Sequence, residues 1–290
     1  MLKSNALILS TDSLPNYWLD LIFSIVKDVW LDGIDLAMWK WFDAWDEDYV
    51  RKLSFDYDLP VYAIQTSSKL NQREMNKALD LCESTWASTI CINAPKITEF
   101  KIYDFISGNL ETYQKENPSI NFSIINPVDS KLFALPIPEY RFSNVIDIVK
   151  KYSSYLWLDI SNLDTETFEE NFIRKLEEYA PYISILYLSD KDKKWHGHLL
   201  PWNGDLDLIK FLKKLRKIWF SRPVSIKIDF TPQELSDKEK LMTKLSKVKE
   251  FYEKYFLNEK IELEESHDEE ADSEIDPNEN AEVSWEDTNE

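Results

Sequence analysis

The stretch ISILYLSDKDKKWHGHLLPWNGDLDLIKFLKKLRKIWFSRPVSIKIDFTPQEL, residues 183 to 235, holds one complete structural unit and the start of the next. Residues 183–189 form a short apolar run with little strict alternation, as a strand covered on both faces should. A polar loop follows. Across 205–219, Leu208, Ile209, Phe211, Leu212 and Leu215 make one apolar stripe opposite Lys210, Lys213 and Lys214, which predicts an amphipathic helix. The apolar run returns at 224–229. Thr231-Pro232-Gln233-Glu234 then supplies an N-cap, a proline at the first helical position and the acid of a capping box, predicting a last helix that runs to about Phe256. Strand, loop, helix and strand in this order form the βα unit of a parallel sheet.

Outward from this unit the pattern repeats. Candidate strands fall at 6–10, 33–38, 60–65, 88–93, 121–126, 155–159, 183–189 and 224–229, with helical patterns between them. Eight such units in about 256 residues match a closed (β/α)8 barrel in count and length; a doubly wound open sheet is the alternative. The expected organisation is an α/β TIM barrel over 1–257 and a disordered acidic tail over 258–290, where Glu, Asp, Ser and Asn leave too little apolar content to offset the entropy of ordering. That tail reads first as a solvated segment and second as one that could compete for a basic site. The connection 127–143, with Pro127, Pro136 and Pro138, is the largest loop after a strand and a candidate cover for a site.

Charge narrows the function. The 290 residues hold 34 basic and 53 acidic side chains, a net −19, but 14 of the acids lie in 261–290. The remainder carries 34 basic and 39 acidic residues, a mildly acidic body that disfavours nucleic acid and anionic membrane as bulk partners. No apolar run approaches the roughly 18 residues of a membrane span and the first residues lack a secretory signal, so a cytoplasmic location is expected. Cys82 and Cys91 are too few for a disulfide framework and read as packing residues.

One feature of the composition is anomalous. Ordinary usage of about 7% would supply about 20 glycines, whereas the chain has four, against eleven tryptophans. Several tryptophans stand where turn chemistry wants glycine: Trp30 before Leu31-Asp32-Gly33, Trp86 before a strand, and Trp202 in Pro201-Trp202-Asn203-Gly204. Trp39, Trp41 and Trp45 crowd one loop. We read many of these as UGA codons decoded as glycine in the source organism; restoring all eleven would make glycine 15 of 290. The alternative is a genuinely aromatic-rich protein.

In a barrel, functional groups project from the C-terminal strand ends. Those positions hold Asp35, Gln65, Asn93, Asn126, Asp159, Tyr187 with Asp190, and Lys227 with Asp229. The ring is polar, rich in amides and mixed in charge, which suits a polyhydroxylated ligand, although each member alone reads equally as a capping or turn residue. Two of the three histidines, His196 and His198, fall in the loop of the opening stretch, which leads through Gly204 into a helix N-terminus, a place where backbone can approach an anion or sugar closely.

Three segments carry a family resemblance. They are the Asp190 to Asp207 loop with His196, His198 and Trp202-Asn203-Gly204; Gly33-Ile34-Asp35-Leu36; and Trp157-Leu158-Asp159-Ile160. Together they resemble the xylose isomerase-like barrels, a superfamily of sugar and sugar-phosphate isomerases and epimerases that includes endonuclease IV-type repair enzymes. The resemblance covers residues 5 to about 230 in outline. It implies a sugar or sugar-phosphate isomerase or epimerase; moving a proton between sugar carbons needs a base and an electrophile, for which the mouth offers Asp159 or Asp190 and Lys227 or His198, with Asp35, Gln65, Asn93, Asn126, Tyr187, His196 and Gly204 as candidate substrate-binding residues.

It also implies one divalent metal held after strands five, six, seven and eight, and there the sequence departs from the pattern. Asp159 keeps the strand-six ligand, while Ile125, Tyr187 and Lys227 replace the other three. A hard ion needs several oxygen or imidazole donors, and an ammonium repels it. The expectation is therefore no metal and no other cofactor, Mn²⁺ being the disfavoured candidate, with Lys227 neutralising Asp159 in its place. The trinuclear zinc site of the repair enzymes lacks its histidines, since Gln65 and Asn93 stand in their positions; a repair nuclease is the weakest reading. The rival from another class is a non-catalytic barrel that binds a carbohydrate or a partner protein at the same mouth.

Overall fold

The computed structural model describes residues 2–40, 42–94, 100–128, 131–132, 135–136, 142–163, 165, 167–194 and 196–258. Eight short strands close into one parallel barrel: β1 (Leu7–Ser10), β2 (Gly33–Ala37), β3 (Val61–Gln65), β4 (Thr89–Ile92), β5 (Asn121–Ile125), β6 (Tyr155–Asp159), β7 (Ile183–Leu188) and β8 (Val224–Ile226). Each strand pairs with its neighbours in sequence, and β8 returns to β1 with Leu7 opposite Val224 and Leu9 opposite Ile226. Closure of this ring excludes the open sheet. Every predicted strand is present, trimmed by up to three residues at its ends.

Helices α1 (Leu19–Asp28), α2 (Glu47–Tyr57), α3 (Gln72–Thr85), α4 (Phe100–Glu116), α5 (Phe142–Lys151), α6 (Leu176–Tyr179), α7 (Leu208–Lys217), α8 (Pro232–Leu235) and α9 (Lys238–Tyr252) follow the strands around the barrel. On α7, Leu208, Phe211, Leu212 and Leu215 are buried at the i, i+3, i+4, i+7 spacing of one face. Ile209, expected in that stripe, is 38% exposed because its position falls one step outside the arc. Asp207 caps α7 by accepting from the Lys210 amide at 3.0 Å.

The last helix differs from expectation. Its capping box forms as predicted, with the Thr231 amide donating to Glu234 and the Glu234 amide to Thr231. The helix then stops at Leu235 and begins again at Lys238, since Asp237 takes an extended conformation and caps the new start through the Lys240 amide at 3.1 Å. Helices α1, α2, α3, α5 and α7 each close on a left-handed residue: Trp30, Asp58, Trp86, Ser153 and Trp219.

In the 127–143 connection, Lys131–Leu132 pairs antiparallel with Leu135–Pro136. Pro127 and Val128 of that expected cover line the cavity at the strand ends, whereas its residues 129–130, 133–134 and 137–141, the tail beyond 258, Trp41 and Trp195 lie outside the described residues. No helix among the described residues is long and apolar enough to cross a membrane.

Candidate functional site

The C-terminal strand ends surround a cavity of about 530 Å³. Gln65, Asn93, Asn126, Asp159, Tyr187, His198 and Lys227, all predicted, line it together with Asp12, Trp39, Cys91 and Ile125. A larger, more open depression of about 1000 Å³ lies between the loop after β2 and the start of α3 and shares Trp39. The strand-end cavity is lined by the buried Asp159, Tyr187 and Lys227 and is the candidate site.

His198 reaches the mouth because its loop folds back. Asp190 and Leu199 exchange backbone hydrogen bonds of 2.8 and 2.9 Å, while the Asp229 amide donates to the His198 carbonyl at 2.9 Å. His198 itself has φ of 55°, a left-handed conformation in which histidine is several-fold enriched. The turn aims the imidazole inward, with Nε2 2.8 Å from Asp159 Oδ2 and Nδ1 3.4 Å from Asp229 Oδ2. Burial pulls the His198 pKa down, but the charges and hydrogen bonds of Asp159 and Asp229 outweigh it and carry it to about 10. The ring is therefore an imidazolium throughout the neutral range. The hydrogen bond from His198 holds the Asp229 carboxyl below its usual range.

Lys227 does not pair with Asp159. Its ammonium is bound by Asp12, which also meets Lys40 Nζ at 2.7 Å. Burial pushes Lys227 down to about 8, partly opposed by Asp229, and lowers Lys40 as well. The mouth thus carries three carboxylates, Asp12, Asp159 and Asp229, against three cations, His198, Lys227 and Lys40. Asp12 and Lys40 escaped the sequence reading. Asp12 stands just beyond β1, the one strand whose end was assigned no functional residue, and that position was the available signal; Lys40 carried none.

Beneath the cavity Asp35 is fully buried. Its two oxygens accept from Gln65 Nε2 at 2.9 Å and Ser225 Oγ at 3.0 Å, and Gln65 also donates to Ser10 Oγ at 2.9 Å. Burial raises Asp35 to about 7 against these hydrogen bonds. Tyr187 packs edge-on against Trp157 with centroids 5.2 Å apart, and burial, then Asp35, raises its hydroxyl. Burial likewise keeps both thiols protonated, Cys82 at about 12 and Cys91 well above its ordinary value, so they pack rather than react.

Five predicted residues do other work. Asp190, expected as a base, lies outside the cavity lining; its carboxylate accepts from the amides of Lys191, Gly204 and Leu206 at 2.8, 2.9 and 3.1 Å. Gly204 lets that carboxylate in, since a Cβ there would sit 2.3 Å from Asp190 Oδ1, so its open side faces protein rather than ligand. His196 has a 70% exposed side chain paired with Asp192 at 2.8 Å, away from the cavity. Asn126 lines the cavity but spends its amide on the Asp159 backbone, donating to the carbonyl at 2.9 Å and accepting from the amide at 2.7 Å. Asn93 donates to the Thr66 carbonyl at 3.1 Å.

The four positions compared above do not fit a divalent metal. Ile125 offers no donor, Lys227 an ammonium, and Tyr187 a hydroxyl raised by burial. Asp159 has spent both oxygens, Oδ1 on the Ser161 amide and hydroxyl at 3.0 and 2.8 Å and Oδ2 on His198. Among the described residues no group of three or more His, Cys, Asp or Glu is arranged to hold a metal ion.

The barrel formed by β1 to β8 matches known structures over most of the chain. A xylose isomerase domain protein from Alicyclobacillus acidocaldarius superposes with a TM-score of 0.66 at 14% identity, covering 85% of this chain and 98% of that one. The fold is that of the xylose isomerase-like barrels. A D-allulose 3-epimerase from Methylomonas sp. matches this barrel with a TM-score of 0.60 at 13% identity, covering 88% of this chain and 98% of the other. A family 2 AP endonuclease from Brucella melitensis matches with a TM-score of 0.60 at 13% identity, over 80% of this chain and 96% of that one. No family model matches the sequence, and no curated protein does. At these identities the xylose isomerase-like likeness is one of fold.

Proposed function

We propose that this xylose isomerase-like barrel binds a sugar or sugar phosphate in the strand-end cavity and isomerises or epimerises it without a divalent metal. The observation that carries the reading is the pair of cations facing one amide-lined cavity, His198 held charged and Lys227 with its pKa lowered to about 8. Moving a proton next to a carbonyl needs a base at the carbon and a positive group at the oxygen. Lys227, increasingly neutral as pH approaches 8, takes the proton from the carbon beside the carbonyl. The electron pair of that C–H bond forms the enediolate, whose oxyanion is stabilised by the His198 imidazolium. Return of that proton by Lys227 to the neighbouring carbon on the same face gives an isomer, while a proton delivered by water to the opposite face of the first carbon, with Lys227 releasing its own to solvent, gives an epimer. His198 keeps the electrophile's role first expected of it, and Lys227 moves from electrophile to base, because Asp190 is enclosed and Asp159 is fully occupied.

The test is incubation in D2O with EDTA and a panel of ketoses, D-allulose included, and their phosphates. Deuterium entering beside the carbonyl, and lost in both Lys227→Met and His198→Asn, is the expected result. Exchange that needs Mn²⁺ and disappears in Asp159→Ala would reverse the metal-free reading. Stabilisation by a sugar without any exchange favours the second reading, a non-catalytic carbohydrate-binding barrel. One observation supports that rival: both His198 nitrogens and the Lys227 ammonium already face carboxylates of the chain itself.

A further inference from the structure

The tryptophans occupy places that physics assigns to glycine. Of the eight among the described residues, Trp18, Trp30, Trp39, Trp86, Trp202 and Trp219 are exposed and only Trp157 is buried. Tryptophan is highly buried on average, so the distribution is inverted. Trp30, Trp86 and Trp219 are 76%, 84% and 85% exposed, and the same three hold φ of 60°, 63° and 57°.

The hydrogen bonding defines the motif. After α1 the Trp30 amide donates to the Lys27 carbonyl at 3.0 Å and the Leu31 amide to Val26 at 3.1 Å. After α7 the Trp219 amide donates to Arg216 at 2.9 Å and the Phe220 amide to Leu215 at 3.0 Å. Each pair closes a helix around one left-handed residue, a position dominated by glycine because a Cβ strains it. Trp86 ends α3 in the same conformation. An indole held in solvent there gains no burial to offset the strain. Asp58 and Ser153, the non-tryptophan residues at two other helix ends, are small and polar, a class that tolerates this conformation better.

Trp157 adds an independent observation inside the barrel. Among the described residues it is the largest fully buried side chain, yet its indole Nε1–H has no hydrogen-bond partner among them. It packs on Cys91, Tyr187 and Ile125, which line the ligand cavity.

We infer that positions 30, 86 and 219 are glycine in the protein as its source organism makes it, through a codon read there as glycine, and that the same exchange at 157 deepens the ligand cavity. The depth of the cavity rests on the site described above, whereas the helix ends do not. Peptide mass spectrometry of the protein purified from its source reads all four positions. Glycine at each is the expected result. Tryptophan at 30, 86 and 219 overturns the inference, and glycine at those three with tryptophan at 157 overturns the deeper cavity alone. A stability measurement on the chain as printed decides the helix ends separately. Trp30→Gly, Trp86→Gly and Trp219→Gly should each raise Tm by a few degrees. A fall in Tm for all three would show that the indoles belong there.

Discussion

At the level of single residues, His198 and Asp35 give the molecule a pH signature. His198 has a folded pKa of about 10 against an ordinary 6.5. The folded state therefore keeps a proton that the unfolded chain loses, so this contribution is complete below about 6.5 and declines as pH rises toward 10. Lys227, lowered to about 8, acts with the opposite sign above that value, and Asp35, raised to about 7, adds to the fall below it, so the window that reports His198 lies between about 7 and 8. Urea unfolding across that window should show stability falling with pH by up to about 1.4 kcal/mol per unit, and His198→Asn should flatten the slope. Asp35, raised to about 7, loses stability as pH climbs from its ordinary range through 7. Asp35→Asn should match the parent near pH 4 and exceed it at pH 8, by up to a few kcal/mol in denaturant melts. A variant less stable than the parent at pH 8 would show the carboxylate to be needed in charged form. The sequence marked Asp35 and His198 as candidates, but their states depend on neighbours far along the chain. Ser225 lies 190 residues from Asp35, and Asp159 lies 39 from His198.

The loop between β7 and α7 is the element that places His198, and Asp190 is its hub. Three backbone amides converge on that carboxylate, which explains how a loop of this length holds an imidazole in place. Asp190→Ala leaves those donors unpaired and should cost about 2–4 kcal/mol, seen as a lower denaturation midpoint. Gly204→Ala should destabilise by about 1–3 kcal/mol through overpacking against the same carboxylate. Both should weaken sugar binding through the displaced loop although neither residue lines the cavity, and unchanged affinity in a folded Gly204→Ala protein would argue against that coupling. Helix faces and caps at this scale were readable because their periodicities and motifs are local. The split between α8 and α9 was not, because Asp237 competes as a cap inside an otherwise continuous apolar pattern.

For the molecule as a whole, eight parallel strands carry their polar ends to one mouth, where three carboxylates and three cations stand together. If that network replaces a metal, chelation has nothing to remove. Dialysis against EDTA should leave Tm unchanged, and millimolar Mn²⁺ should not raise it, because only a ligand that binds the folded state shifts the midpoint. A rise with Mn²⁺ that vanishes in Asp159→Ala would place a metal at the mouth. What the sequence by itself determined was the ring of βα units and the identity of most strand-end residues, since each follows from apolar runs and capping signals within about a dozen neighbouring positions. Only the tertiary structure decided the partnerships. Lys227 meets Asp12 rather than Asp159, Asp159 meets His198, and Asp190 is spent on its own loop. Those choices depend on distances of a few ångströms between residues that the closed barrel brings together, and on a left-handed turn at His198 that no spacing in the sequence announces.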